Sequence, residues 1–158
     1  MPEYSQIEIS ETGSALRQLL LVSPDMLHTV WPATIPLLME GKKYWEEWST
    51  IDSIYDGIAK GNIQLWLMND DEEFIMAMTT EILKWPKHLE LRIMWIGGKD
   101  LNSAMSQFFD YMELWAARQG ISKVKLFGRK GWIRKLLSSG YELTGYVIEK
   151  DISGIKEH

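Results

Sequence analysis

The stretch from Leu89 to Gly140 constrains the fold more than any other part of the chain. Leu89-Glu-Leu-Arg-Ile-Met-Trp-Ile96 first alternates apolar and polar residues, then turns apolar throughout, as a strand does on entering a core. Gly97-Gly98 breaks it. A helix is expected from about Asn102, because Leu101, Met105, Phe108, Met112 and Trp115 recur along one stripe at helical spacing. Gly120 ends that helix, with Ile121 placed for the usual apolar contact beyond the cap. Ser122-Lys-Val-Lys-Leu-Phe127 reads as a second strand. Strand, crossover helix and strand in this order imply two parallel neighbours joined by a right-handed connection.

Upstream, residues 1–16 read as an N-terminal arm or edge strand, with one alternating patch at Ile7-Glu-Ile9. Arg17 to Val22 is a strand stopped by Ser23-Pro24, and a helix follows through Met26, Leu27 and Val30. Pro32 and Pro36 predict a bend or restart near Trp31. A further helical piece runs from Ile35 to about Trp48, and Thr50 caps a short helix from Ile51 to Ala59. An antiparallel meander is expected next: Ile63 to Met68, an acidic turn at Asn69 to Glu73, Phe74 to Leu83, a turn at Trp85-Pro86-Lys87, and Leu89 to Ile96. Within it Met76, Met78, Thr80 and Ile82 share one face, and Ala77, Thr79, Glu81 and Leu83 the other. The last elements are a helix from Trp132 to Ser138 and a strand from Leu143 to Ile152. Residues 17–152 thus read as one domain, followed by a frayed tail at 153–158.

Composition narrows the function classes. A net charge of −5 argues against broad nucleic-acid binding, and no apolar run approaches the length needed to span a bilayer, so a soluble, cytoplasmic protein is expected. The absence of cysteine excludes disulfides and thiolate metal sites, and His28, His88 and His158 are too scattered for a metal cluster. Eight tryptophans call for a substantial core, with a minority lining a pocket or an interface; Trp45, Trp48, Trp66 and Trp95 are assigned to core or cleft.

The topology itself offers a site. Where the strands Leu89–Ile96 and Lys123–Phe127 part, their inner edges expose backbone donors and acceptors to an extended ligand. The N-terminus of the intervening helix favours an anion at the same place. Candidate ligand-binding residues are therefore Trp95, Ile96, Gly97, Gly98, Asn102 and Ser103. Asp100 brings a negative charge to the position where a phosphate would sit. Glu81, the only carboxylate inside the Phe74–Leu83 strand, is the candidate general base; the simpler role for it is a solvated or ion-paired residue near Arg92.

This element order, together with Gly128-Arg-Lys-Gly-Trp132 and the later Gly140-Tyr141, resembles the GNAT superfamily of acyl-CoA-dependent N-acyltransferases over about Leu19 to Ile152. The resemblance implies a mixed α+β fold: a twisted, mainly antiparallel sheet with one parallel β-α-β crossover and helices on both faces. It also implies acetyl-CoA as cofactor, with the pantetheine arm on the strand before the central helix and the pyrophosphate in the turn; Arg129 would then bind the cofactor's phosphates and Trp132 stack on its adenine, the simpler roles being a solvated loop residue and a core or staple residue. Two departures weigh against the family reaction. The turn Ile96-Gly-Gly-Lys-Asp-Leu101 lacks the family's Arg/Gln-x-x-Gly-x-Gly/Ala pattern, and Leu136 stands where many members carry the tyrosine that protonates the leaving thiolate. The Gly-Arg-Lys-Gly-Trp run followed by Gly-Tyr is similar to GNAT-like proteins encoded by tailed phages. On that resemblance the expected role is a non-catalytic binding or structural component with protein partners, in a virion or the host cytoplasm; the alternative is an acetyl-CoA-dependent N-acyltransferase with an atypical turn.

Overall fold

A computed structural model describes residues 6–10, 16–99, 101–127 and 130–156. The chain falls into two compact units, Met1–Phe127 and Gly128–His158. In the first, one six-stranded sheet holds its strands in chain order. They are β1 (Gln6–Ser10), β2 (Leu16–Leu21), β3 (Gln64–Asp70), β4 (Glu73–Lys84), β5 (Leu89–Gly98) and β6 (Lys123–Leu126). Every neighbouring pair is antiparallel except β5 and β6, which run parallel. The N-terminal patch is thus an edge strand, paired with β2 from Gln6↔Leu20 to Ser10↔Leu16. The expected crossover is present: α4 (Leu101–Arg118) joins the parallel pair.

The period-two pattern puts a different apolar set on each face of the sheet. On one face Leu65, Leu67 and Ala77 pack with Leu27, Val30, Leu37 and Leu38 of α1 (Leu27–Glu40), Trp45 of α2 (Lys42–Trp45), and Ile54 and Ile58 of α3 (Ile51–Ala59). On the other, Trp66 meets Phe108 and Trp115 of α4 with ring centroids 6.4 and 5.0 Å apart. The Trp66 indole N–H donates to Thr80 Oγ1, which donates in turn to Gln64 Oε1, so these three buried side chains are linked by hydrogen bonds.

Two expectations need correction in the first unit. Helix α1 does not bend or restart at Trp31; it runs unbroken through Pro32 and Pro36. The prolines remove the amides that would bond the carbonyls of His28 and Pro32. Residues 28, 32 and 36 lie four apart on the exposed side of the helix, so the two lost bonds fall on the side away from the core. The opposite side is held by Leu27, Val30, Thr34, Leu37 and Leu38, all buried. Trp48 is 60% exposed and belongs neither to the core nor to the cleft, whereas Trp45 is buried and its indole donates to Leu38 O at 2.9 Å.

The second unit contains α5 (Lys130–Leu137), closed by bonds from Ser139 N and Tyr141 N to Leu136 O. The expected strand from Leu143 to Ile152 is not formed: these residues join no ladder and carry exposed apolar side chains such as Ile148. Alternating apolar residues supply a strand's pattern, but a strand exists only against a partner edge. The Ser153 hydroxyl and then its amide donate to Asp151, which holds that carboxyl below its ordinary pKa.

Candidate functional site

The site is built by the disagreement in length between β5 and β6. The two pair only from Glu90↔Lys123 to Ile93↔Leu126. Met94 to Gly98 continue as strand, paired to β4 on one side and without a β6 partner on the other. At about 3.3 Å per residue this leaves roughly 16 Å of open strand edge.

A bulge sits where the strands separate. Thr79 faces Trp95 and Thr80 faces Ile93, so Met94 is an extra residue with no partner on β4. Such an insertion bends its strand and increases local twist, and it falls one residue past the last β5–β6 pair, Ile93↔Leu126. The amide of Trp95 is kept satisfied by Thr79 Oγ1, which accepts from it at 3.2 Å. Helix α4 begins at Leu101, just past the end of β5, so its unpaired amides lie at the carboxyl end of the parallel pair, where open α/β sheets bind ligands.

The structure gives the glycine pair a packing role that sequence reasoning did not find. A Cβ on Gly97 would collide with the Leu37 carbonyl of α1, and one on Gly98, at φ +139°, would strike the Ile75 carbonyl of β4. A second bulge explains the latter. Met68 faces Met76 and Asn69 faces Phe74, so Ile75 is the extra residue, and its carbonyl accepts from Lys99 N at 2.8 Å. Gly97 and Gly98 therefore bring α1 and β4 against the end of β5.

Of the other candidates, Trp95 is half-buried against the α1–α3 cluster and Ile96 is buried. Asn102 and Ser103 fall in the first turn of α4, and only their backbone is described. Trp132 is half-buried on α5 of the second unit. Arg129 and Asp100 lie outside the described residues.

Glu81 does face Arg92 across β4 and β5, as expected, but no ion pair joins them. Arg92 turns to Glu90 instead, donating from Nε and Nη2 at 3.0 Å each to one carboxylate oxygen. The other oxygen of Glu90 accepts from the Trp85 indole at 3.2 Å and lies 3.4 Å from Lys125 Nζ. Glu90 itself is 1% exposed. Glu81 thus keeps a half-buried carboxylate with no partner, beside a shallow depression of about 400 Å³ lined by Gly61, Asn62, Gln64, Glu81 and Ile82. The depression exists because β3 starts at Gln64, opposite Thr80, which leaves β4 from Glu81 onward without a neighbour on that side. Glu90, Trp85 and Lys125 were not anticipated as a cluster. The signal was present only as a carboxylate and an arginine two apart in one strand.

No group of His, Cys, Asp or Glu among the described residues can hold a metal, and none of their helices is long and apolar enough to cross a membrane.

The same overall fold is found in solved structures. A GCN5-related N-acetyltransferase from Ralstonia eutropha matches with a TM-score of 0.64 at 13% identity, over 87% of this chain and 99% of that one. This chain has the GNAT fold. A glucosamine-6-phosphate N-acetyltransferase from Arabidopsis thaliana matches at TM-score 0.62 and 10% identity, over 87% of this chain and 99% of that one. A predicted acetyltransferase with acetyl-CoA from Clostridium acetobutylicum does so at TM-score 0.62 and 10% identity, covering 86% and 96%. No family model and no curated protein matches the sequence. At these identities the likeness is one of fold.

Proposed function

We propose that the protein binds an acyl-CoA thioester along the open edge of β5 and transfers the acyl group to an amine. The observation that carries this is the unpaired edge from Met94 to Gly98, set beside the N-terminus of an 18-residue helix. An extended amide-bearing chain can pair with such an edge as an added strand would. The helix amides and dipole then favour the anionic end of the ligand. Solved proteins of the same fold, with acetyl-CoA or with CoA, support the choice of ligand.

In the transfer, the acceptor's ammonium loses a proton to Glu81, directly or through water. The free amine attacks the thioester carbon, the C–N bond forms, the nitrogen gives up its second proton to solvent, the C–S bond breaks, and the thiolate leaves to take up a proton from solvent. Backbone amides of β5 that have no ladder partner are the groups available to polarise the thioester carbonyl. Leu136 replaces the usual acid, so thiolate protonation by water is the step in which this chain differs from tyrosine-bearing members of the fold.

A second reading has its own observation. The space at Gly97 and Gly98 is filled by α1 and β4, and the turn after them has no phosphate-binding pattern. On this reading the fold serves as a binding or structural part with protein partners, including in a phage particle, and catalyses nothing.

Acetyl-CoA at about 100 times its Kd is expected to stabilise the fold by about 2.7 kcal/mol, read as a rise in Tm and confirmed by calorimetry. Glu81→Gln should then lower turnover by about a hundredfold while leaving acetyl-CoA affinity unchanged. An absent shift at millimolar acetyl-CoA contradicts the enzyme reading; binding with no turnover on any amine favours the second.

A further inference from the structure

On the sheet face that carries Glu81, three charged side chains from three adjacent strands come together. Glu81 of β4 faces Arg92 of β5, and Arg92 faces Lys125 of β6. Directly opposed strand residues have Cβ atoms about 5 Å apart, so a free carboxylate normally closes on an arginine placed there. Here it does not, because Glu90 holds the guanidinium. One carboxylate, Glu90, is thereby shared between two cations, Arg92 and Lys125, and one positive charge is left over. Glu81 is left with an unmatched negative charge one strand away. Side-chain exposures of 23% for Arg92 and 45% for Lys125 keep the surplus accessible. Phe127, 66% exposed, lies against the guanidinium at 5.7 Å, and Trp85 is 44% exposed on the other side of Glu90.

We infer that this face recognises a zwitterionic acceptor, an amine with a carboxylate a few ångströms away, such as an α-amino acid with an aromatic side chain. Its ammonium docks on Glu81, its carboxylate on the Arg92–Lys125 pair, and its ring on Phe127. The placement suits transfer. Ile93↔Leu126 is the last β5–β6 pair before the strands part, so Arg92 and Lys125 stand one residue below the fork and Glu81 holds the reacting nitrogen beside it. A charge balance of this kind needs no new group. The buried Glu90 fixes Arg92, and Lys125 supplies the excess. The inference rests on the acyltransferase reading for its purpose, though not for its test.

Three probes separate the charges: L-phenylalanine, its amide, which lacks the carboxylate charge, and phenethylamine. Titrated without acetyl-CoA and followed by amide NMR, L-phenylalanine should shift Glu81, Arg92 and Lys125 together and bind about tenfold more tightly than either analogue, as the loss of one charge-assisted contact implies. Lys125→Gln is the decisive variant, because it removes the surplus charge and leaves the Glu90–Arg92 pair intact for folding. It should erase the preference for L-phenylalanine over its amide and leave phenethylamine binding unchanged. With acetyl-CoA present, the same tenfold preference should appear in kcat/KM. If the shifts occur and no transfer follows, the zwitterion site stands and the acyltransferase reading falls. Equal affinity for all three probes, or no shift at these amides, overturns the inference.

Discussion

Gly97→Ala is expected to destabilise the protein by about 3 kcal/mol or more, near the upper end of what added volume costs in a packed interior. The added methyl would enter the space of the Leu37 carbonyl, with Leu37 C and Gly41 N close behind, so backbone rather than a flexible side chain must move. Helix α1 is held to the sheet by buried Leu27, Val30, Leu37 and Leu38, and any retreat from β5 opens that cluster. Chemical denaturation measures the loss. Gly61→Ala makes a useful contrast: its Cβ meets nothing, so its cost comes from the positive φ alone and should be about 1 kcal/mol. A Gly97→Ala protein as stable as the natural one would mean that α1 does not sit against the end of β5 as described.

Glu90→Ala is expected to cost about 3 kcal/mol, a fall in Tm of roughly 6–12 °C for a chain of this size. Breaking a fully buried ion pair costs about 3–5 kcal/mol because the remaining charge is stranded. Arg92 and Lys125 keep some contact with water, which places this substitution at the lower end. The Trp85 indole also loses its acceptor. Arg92→Leu should cost more than Glu90→Ala, since the carboxylate it leaves behind is only 2% exposed. Thermal melts of the two variants check the order. Equal small losses would show that the cluster contributes only as a surface ion pair does.

Much of the fold was legible in the sequence, and the reasons are local. The parallel pair was readable because the strand Leu89–Ile96, the helical stripe from Leu101 to Trp115 and the strand after Gly120 each carry an unambiguous period, with glycines marking the joins. The two faces of β4 followed from alternation alone. What misled was local as well. Pro32 and Pro36 read as breakers because each removes a hydrogen bond, but the side of the helix on which the loss falls is set by the tertiary fold. Leu143 to Ile152 has the composition of a strand, and composition does not supply the partner edge.

The site was legible in position more than in chemistry. The parallel pairing of β5 with β6 and the placing of Glu81 opposite Arg92 are both present in the structure. The bulge at Met94, the Thr79 hydroxyl that satisfies Trp95, and the sharing of Glu90 between two cations all depend on register, which no single strand reveals. Gly97 and Gly98 are ligand-binding candidates by position, and what only the structure reveals is that a Cβ on either would meet the backbone of α1 or β4.

The outer edge of β5 past the bulge is where acyl-CoA is proposed to bind. Hydrogen exchange of the amides from Met94 to Gly98, with and without saturating acetyl-CoA, reads that edge directly. Amides on the open side should exchange readily in the free protein and slow by at least about tenfold on binding, while those already paired to β4 change little. Unchanged exchange along this edge under conditions where acetyl-CoA is bound would place the ligand elsewhere and contradict the account.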